Sequence, residues 1–270
     1  MTANASQSSS STAPASNRGL VAVLLAAGQS KRMRSDLVKV LHEVCGRPML
    51  EWVIDACRDA GCERIIVVVG HQGDRVRDAF SDDSRVEFVE QRERLGTGHA
   101  VMQAAPYLAG YEGDVFVLAG DGPLLRSETL RILLETHRAK AAAATLATAE
   151  VNDPTGYGRI VRDSGGAFEA IVEERDATPA QRRIREINPS YYCFRTPHLL
   201  EALDELSNEN ASGEYYLTDT LGALRARGER IALVTAVDPE DVLSVNTPEQ
   251  LAEVDAILAR RLKQQQEAAP

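Results

Sequence analysis

The apolar run Val21-Ala22-Val23-Leu24-Leu25, closed by Ala26-Ala27-Gly28, leaves this chain few folds to choose from. A run with no polar alternation, bounded by small residues, reads as a strand buried on both faces, the first strand of a parallel α/β sheet. Ligands of such sheets sit beyond the carboxyl ends of the strands, so chemistry is expected just after Leu25. There Ala26-Ala27-Gly28 lets the backbone turn with little side-chain bulk, and successive N–H groups can converge on an anion. Lys31, Arg32, Arg34 and Lys39 then add four positive charges in a chain whose formal net charge is −10. That is a candidate phosphate site, with a solvated charged turn as the alternative. Of the chain's 30 basic residues only Lys31, Lys39, Lys140 and Lys263 are lysines, and two of these fall in the loop. An ammonium is a compact point charge that reaches a phosphate oxygen where a planar guanidinium fits less easily. The spacing is neither G-x-G-x-x-G nor G-x-x-x-x-G-K-[ST], so neither common nucleotide loop is present.

Composition narrows the class further. With 44% hydrophobic and 26% charged residues over 270 positions, the chain can bury a substantial core in one domain, or in one domain with a lobe. No apolar stretch approaches the ~20 residues of a membrane-spanning helix, so no membrane association is expected. The acidic balance argues against a nucleic-acid surface, which needs Lys and Arg clustered over a wide face. Cys45, Cys57, Cys62 and Cys193 show no C-x-x-C spacing and read as reduced thiols of a cytoplasmic protein. Residues 1–18, rich in Ser, Ala and Thr and without an apolar h-region, are expected to be a disordered leader and not a signal peptide.

Along the chain, strand and helix patterns alternate with short joins. A helix opens at Pro48 and ends near Gly61, Arg64 to Gly70 is a second buried strand, Gly73 to Phe80 a short helix, and Val86 to Val89 a third strand that delivers Glu90 and Gln91 to the edge where the first loop lies. Leu95-Gly96-Thr97-Gly98 opens a helix to about Ala105, before Pro106; it is either a plain cap or a helix N-terminus offering N–H groups to a ligand. Asp114 to Ala119 is the next strand, and Gly120-Asp121-Gly122 after it is either an ordinary turn or a seat for a hydrated divalent cation. Ser127 is expected to cap a helix to about Arg138, and Ala142 to Ala149 to form a strand. From Asp153 glycines and prolines punctuate short alternating segments, Arg159 to Arg162 and Phe168 to Val172, which read as an antiparallel hairpin in a lobe over the sheet edge. Thr178 to Arg185 reads as a loop or short helix. Tyr191 to Phe194 and Ile231 to Val237 read as strands, and Pro197 to Leu206 and Leu217 to Arg227 as helices. Thr247-Pro248-Glu249-Gln250 carries a cap, a first-turn proline and a capping box for a terminal helix that fades near Lys263. No hexapeptide repeat is present, so no β-helix is expected.

The loop segment LAAGQSKRMRSDLVKVL is similar to the signature L-A-A-G-x-G-T-R-M-x-S-x-x-P-K-V-L of the sugar-nucleotidyltransferase superfamily, and RLGTGHAV, GDGPL, DPTGYGRI, IVEERDAT, EIN, SGEYYLTD and VN follow in the order of its uridyltransferase members that act on N-acetylglucosamine-1-phosphate. The resemblance covers about Gly19 to Leu262. It implies an α/β fold: a doubly wound, mainly parallel Rossmann-like sheet with a smaller antiparallel β lobe for the sugar. A nucleotide-binding half at about 19–150, a sugar-binding half at about 151–246, a terminal helix at 247–262 and a tail at 263–270 follow from it. It implies formation of UDP-N-acetylglucosamine and pyrophosphate from UTP and N-acetylglucosamine-1-phosphate, assisted by Mg2+. Carried over by position, Arg32 and Lys39 are catalytic and neutralise charge at the phosphates. Leu25, Ala26, Ala27, Gly28, Lys39, Gln91, Gly96 and Thr97 bind the nucleotide. Gly158, Glu173 and Asn188 bind the sugar, although alone the last two would read as surface polar residues. Asp121 and Asn246 hold the metal. The acetyltransferase β-helix of bifunctional members has no counterpart in this sequence, so acetyl transfer is not expected, and the sequence leaves the oligomeric state open.

Three departures from the pattern bear on substrate. Ser30-Lys31 stands for Gly-Thr, Val38 stands for the proline before the lysine and is expected to loosen the approach of Lys39, and Asn188-Pro189-Ser190 stands for Asn-Thr-Gly, with proline deleting an N–H near the sugar. A same-fold transferase using another sugar or dTTP, and a non-catalytic nucleotide-sugar sensor, are the alternatives.

Overall fold

The computed structural model describes residues 19–28, 31–235 and 237–268; the expected leader and Ser30 lie outside these. The chain runs through β1 (Leu20–Ala26), the β2–β3 hairpin (Glu43–Val44 and Arg47–Pro48), α1 (Met49–Asp59), β4 (Arg64–Val69), α2 (Gly73–Ala79), β5 (Val86–Glu90), α3 (Thr97–Leu108), β6 (Asp114–Ala119), α4 (Ser127–Ala139) and β7 (Ala144–Ala147). It continues through β8 (Ala149–Glu150), β9 (Gly158–Arg162), β10 (Phe168–Val172), β11 (Glu186–Asn188), β12 (Tyr191–Arg195), α5 (Thr196–Leu203), α6 (Asp219–Ala226), β13 (Ile231–Val234) and α7 (Pro248–Ala268). The fold expected from the sequence is the one observed. The central sheet has the order β13-β7-β12-β6-β1-β4-β5, parallel throughout except for β12, which runs against both of its neighbours.

The run at the start of the chain explains why β1 is central. Its side chains alternate between two apolar layers: Leu20, Ala22 and Leu24 join Leu50, Val53 and Ile54 of α1 and Leu130 and Leu133 of α4, while Val21 and Val23 join Ala100, Val101 and Ala104 of α3, Leu199 of α5 and Leu221 of α6. A strand with both faces covered has no room for a polar side chain, which is the pattern read in Val21 to Leu25. Because the chain passes from β1 outward to β4 and β5 and then returns to place β6 on the other side of β1, the strand order reverses between β1 and β6. That reversal opens a crevice at the carboxyl ends of β1 and β6.

A second, antiparallel sheet of order β10-β9-β11-β8 forms the lobe. The strand expected over Ala142 to Ala149 is divided between the two sheets. Ala147 still pairs with Val234 in the central sheet, whereas Ala149 already pairs with Ile187 in the lobe. Thr148 sits at the crossing, its N–H bonded to Val234 O at 2.9 Å and its hydroxyl donating to Glu186 Oε1 at 2.7 Å. The later half of the chain also returns β12 and β13 to the central sheet, so the lobe is an excursion from it.

Three boundaries differ from expectation for identifiable reasons. Helix α3 continues past Pro106 to Leu108: a proline in the last turn forfeits only its own N–H bond, and fully buried Leu108 holds the end. Ser127 is the first helical residue and not the cap; Arg126 precedes it in extended conformation, its Nε donating to buried Asp241 Oδ2 at 2.7 Å. Helix α7 runs on to Ala268, through Gln, Glu and Lys residues that are good helix formers. Its start is as read: Gln250 N–H donates to Thr247 Oγ1 at 3.3 Å, although the glutamine side chain reaches one residue further back, accepting from Asn246 N–H at 2.8 Å. Val254, Ile257 and Leu258 dock α7 on Met33, Val44 and Met49. All four cysteines are free, with Cys57, Cys62 and Cys193 buried. Among the described residues no helix is long and apolar enough to cross a membrane.

Candidate active site

Two cavities open at the β1/β6 crevice and share Ala119, Asp121 and Ser190 along their seam. The first, about 300 Å³, is walled by Leu25, Ala27 and Gly28 from the end of β1, by Gln91 beyond β5, and by Gly96, Thr97 and Ala100 of the α3 start. The second, about 280 Å³, lies between the sheet and the lobe and is walled by Arg32, Thr155, Gly156, Tyr157, Gly158, Glu173, Asn188, Asn246 and Gln250 among others. The residues expected to bind nucleotide thus gather on one side of Asp121, and those expected to bind sugar on the other. Ala26 and Lys39 are the exceptions: both are buried and line neither cavity, Ala26 lying in the core at the end of β1.

Local conformation fixes each wall. Gly96 adopts φ 108°, and a Cβ there would lie 2.4 Å from Tyr215 O, so only glycine fits where the α3 start meets the Glu214-Tyr215 segment. Thr97 faces inward to that segment, its hydroxyl accepting Leu217 N–H at 3.0 Å. Gln91 is buried and its Nε2 is bonded to Gly96 O at 3.0 Å and to His99 Nδ1 at 3.1 Å. In the His99 tautomer whose Nδ1 carries no proton, both hydrogens of that amide are engaged, and the amide oxygen is its free hydrogen-bonding end.

At the seam, Lys39 is only 9% exposed. Its ammonium donates to Asn246 Oδ1 at 2.7 Å and forms an ion pair with Asp121 Oδ2. Asp121 is held from behind, its carbonyl accepting Val245 N–H at 3.1 Å. The two oxygens converge on one cation-sized point from distant segments. Among the described residues no group of three or more His, Cys, Asp or Glu is arranged to hold a metal. A pair of hard oxygen donors on a common point suits a cation such as Mg2+ that keeps most of its water, so the residues present fit that ion. Arg32 is exposed at the cavity wall, and neighbouring Met33 anchors its turn by burial against α7.

The sugar-side residues are more constrained than surface polar groups. Asn188 is buried, its Nδ2 donating to Tyr192 OH at 2.5 Å and its Oδ1 accepting Ser190 N–H at 3.0 Å. Glu173 accepts from Thr218 Oγ1 at 3.0 Å. Burial raises its carboxyl above the ordinary range, with Asp219, Asp176 and Glu214 adding in the same direction and Thr218 opposing. A Cβ on Gly158 would lie 2.8 Å from Ile171, so the strand approaches closely there. Ser190, marked in the sequence only as part of a departure from the pattern, stands at the seam with φ 63°. Nothing in the sequence marks a serine as left-handed, except that proline before it suits the first corner of a turn whose second corner has positive φ. Tyr192 and His99, which orient Asn188 and Gln91, were missed.

The MobA-like NTP transferase domain matches residues 22–224. Among curated proteins the chain is 50% identical over 241 residues to the bifunctional protein GlmU of Brevibacillus brevis, covering 89% of this chain and 52% of that protein. It is 45% identical over 246 residues to the GlmU of Geobacter metallireducens, with 91% and 52% covered, and 47% identical over 241 residues to that of a Geobacillus strain, with 89% and 52% covered. The chain spans about half the length of these relatives.

Proposed function

Because the chain belongs to the family of the MobA-like NTP transferase domain, we propose that it is a sugar-1-phosphate uridylyltransferase that makes UDP-N-acetylglucosamine and pyrophosphate from UTP and N-acetylglucosamine-1-phosphate. The reading rests chiefly on one observation: two cavities, one walled by the β1 loop and one by the lobe, meet at Asp121. A nucleotide in the first and a sugar phosphate in the second would bring their phosphates together at that seam. The likeness to the GlmU proteins, together with the transferase domain, supports a sugar-nucleotide transferase.

In-line transfer between phosphates asks the protein for positioning and charge neutralisation, with no covalent intermediate. Gln91, with its amide oxygen left to accept, suits the N3–H of uracil and would oppose the bare N3 of cytosine. Gly28 and the small residues before it admit the triphosphate close to the backbone. Arg32 and Lys39 supply positive charge against what develops at the α-phosphate. Gly158, Glu173 and Asn188 orient the sugar so that its phosphate oxygen faces the seam. Asp121 and Asn246 would hold Mg2+, which when bound supplies charge neutralisation and keeps the phosphates in register.

The test is pyrophosphate release from UTP with N-acetylglucosamine-1-phosphate and Mg2+, with the product identified by mass. Release with the mass of UDP-N-acetylglucosamine supports the reading, and its loss in Asp121→Ala with the fold intact supports the metal assignment. Binding without release in wild type would favour a sensor. The rebuilt Pro189-Ser190 corner favours one second reading, the same transfer to another sugar phosphate, which product mass also resolves.

A further inference from the structure

The positions assigned to the sugar surround one buried cation that does not itself line the cavity. Arg159 follows Gly158 on β9 and lies opposite Val172 of β10 and Ile187 of β11. Glu173 and Asn188 come directly after those two partners, so the three sugar-side residues stand in one row across adjacent strands, immediately beyond Arg159. Its side chain is 1% exposed, and a guanidinium cannot shed its charge to escape the cost of burial, so it must be satisfied by what surrounds it.

Two of its three nitrogens are satisfied by the segments that wall the cavity, Nε alone having no partner among the described residues. Nη2 donates to Glu174 Oε2 at 2.6 Å and Nη1 donates to Tyr157 O. Glu174 Oε2 also accepts Gly156 N–H at 3.2 Å. The Gly156-Tyr157-Gly158 turn and the Glu173-Glu174 turn, two of the lobe segments around the cavity, are thereby fastened to a single fork. The Tyr157 hydroxyl reaches Val242 O at 3.4 Å, in the segment that leads to Asn246. Neither Arg159 nor Glu174 lines the cavity.

We propose that Arg159 and Glu174 are a positioning pair that sets the sugar-phosphate half of the site and leaves the nucleotide half alone. The proposal rests on the functional reading above. A latch of this kind has a signature that general stabilisation lacks: loosening it should weaken one substrate and not the other.

The experiment measures KM for each substrate, with calorimetric binding of N-acetylglucosamine-1-phosphate and of UTP as a second readout, for wild type, Arg159→Lys and Glu174→Gln. Glu174→Gln keeps an oxygen for Gly156 N–H but loses the charge, and at a partly exposed position it should fold even if the arginine variant does not. Losing or lengthening one charge-assisted hydrogen bond should raise KM for the sugar phosphate about tenfold while KM for UTP moves less than about twofold. Equal losses for both substrates, or a lowered melting temperature with both KM values unchanged, would make the pair merely structural and overturn the proposal. A wild type that neither binds nor turns over the sugar phosphate would refute the functional reading, and the latch with it; a working wild type matched by both variants refutes the latch alone.

Discussion

Lys39 and Asn246, 207 residues apart, are joined by a 2.7 Å hydrogen bond from the ammonium to the amide oxygen. The same ammonium pairs with Asp121. Lysine thus stands where the two metal-ligand candidates converge, and a divalent cation on those oxygens would require the ammonium to leave. On the proposed reading the triphosphate would accept it, which would make metal and nucleotide binding mutually supporting.

Mn2+ binding to the nucleotide-free protein should accordingly tighten in Lys39→Met. One like charge at about 4 Å is worth roughly 1 kcal/mol in water and roughly 4 kcal/mol near a protein surface, so a gain of about tenfold or more is expected. Arg32→Met removes a charge from the same cavity without touching the bridge and should do much less. Equal effects of the two substitutions in a metal titration would show general electrostatics and no exchange at the ligands. In turnover the lysine variant should lose kcat more than KM for UTP, because its charge is wanted in the transition state.

Val38 takes φ −58°, the angle a proline would impose, with ψ 134°. The expected loosening of the approach to Lys39 is therefore absent from the folded backbone, and the valine acts on the unfolded chain instead. Val38→Pro should raise stability by about 0.4–1 kcal/mol with kcat unchanged. A lower melting temperature would mean that the ring clashes with Leu37, and a changed kcat that the valine tunes Lys39 after all.

How much of this was legible in the sequence follows from the range of each cause. The β1 run announces the fold because burial on both faces is written into consecutive residues, and the capping box at Thr247 is equally local. The break in the strand at Thr148 and the start of α4 at Ser127 were misread because Thr148 and Arg126 are held by Glu186 and Asp241, far along the chain. Glu173 and Asn188 look like surface residues until the lobe brings Thr218 and Tyr192 against them. The Lys39 bridge has no local signal of any kind.

Glu173 predicts a pH dependence confined to the sugar. Burial, and then Asp219, Asp176 and Glu214, raise its pKa, so the folded protein holds a proton that the unfolded chain has already released. Its contribution to stability therefore falls as pH climbs from the ordinary glutamate value, about 4.3, toward the raised one. Sugar binding runs the other way, since the carboxylate is the better acceptor for a hydroxyl. KM for the sugar phosphate should fall as pH rises through the raised value, KM for UTP should not, and Glu173→Gln should abolish the limb. A limb at the ordinary carboxylate value, or one retained in the glutamine variant, would count against the assignment.

On the proposed reading, the choice of sugar would be set where this chain departs most from the pattern it otherwise follows. Pro189 has no N–H, and the N–H of Ser190 is spent on Asn188 Oδ1 at 3.0 Å, so the corner offers the sugar no backbone donor. Asn188 also gives one amide hydrogen to Tyr192 OH, which leaves one hydrogen and one lone pair for a ligand. An acetamide can use these; glucose-1-phosphate, lacking it, would leave a buried amide unpaired. One lost hydrogen bond at about 1–3 kcal/mol corresponds to a preference of roughly five- to 150-fold for N-acetylglucosamine-1-phosphate. The preference should collapse toward one in Asn188→Ala. Ser190→Gly tests the corner itself: glycine relieves a left-handed φ of 63°, which should add about 0.5–1 kcal/mol of stability, and the ratio should hold because Asn188 keeps its partners. The measurement is the ratio of kcat/KM for the two sugar phosphates at saturating UTP and Mg2+. A wild-type ratio near one, or one that favours glucose-1-phosphate, would show that Pro189 and Ser190 have rebuilt the pocket for a different sugar.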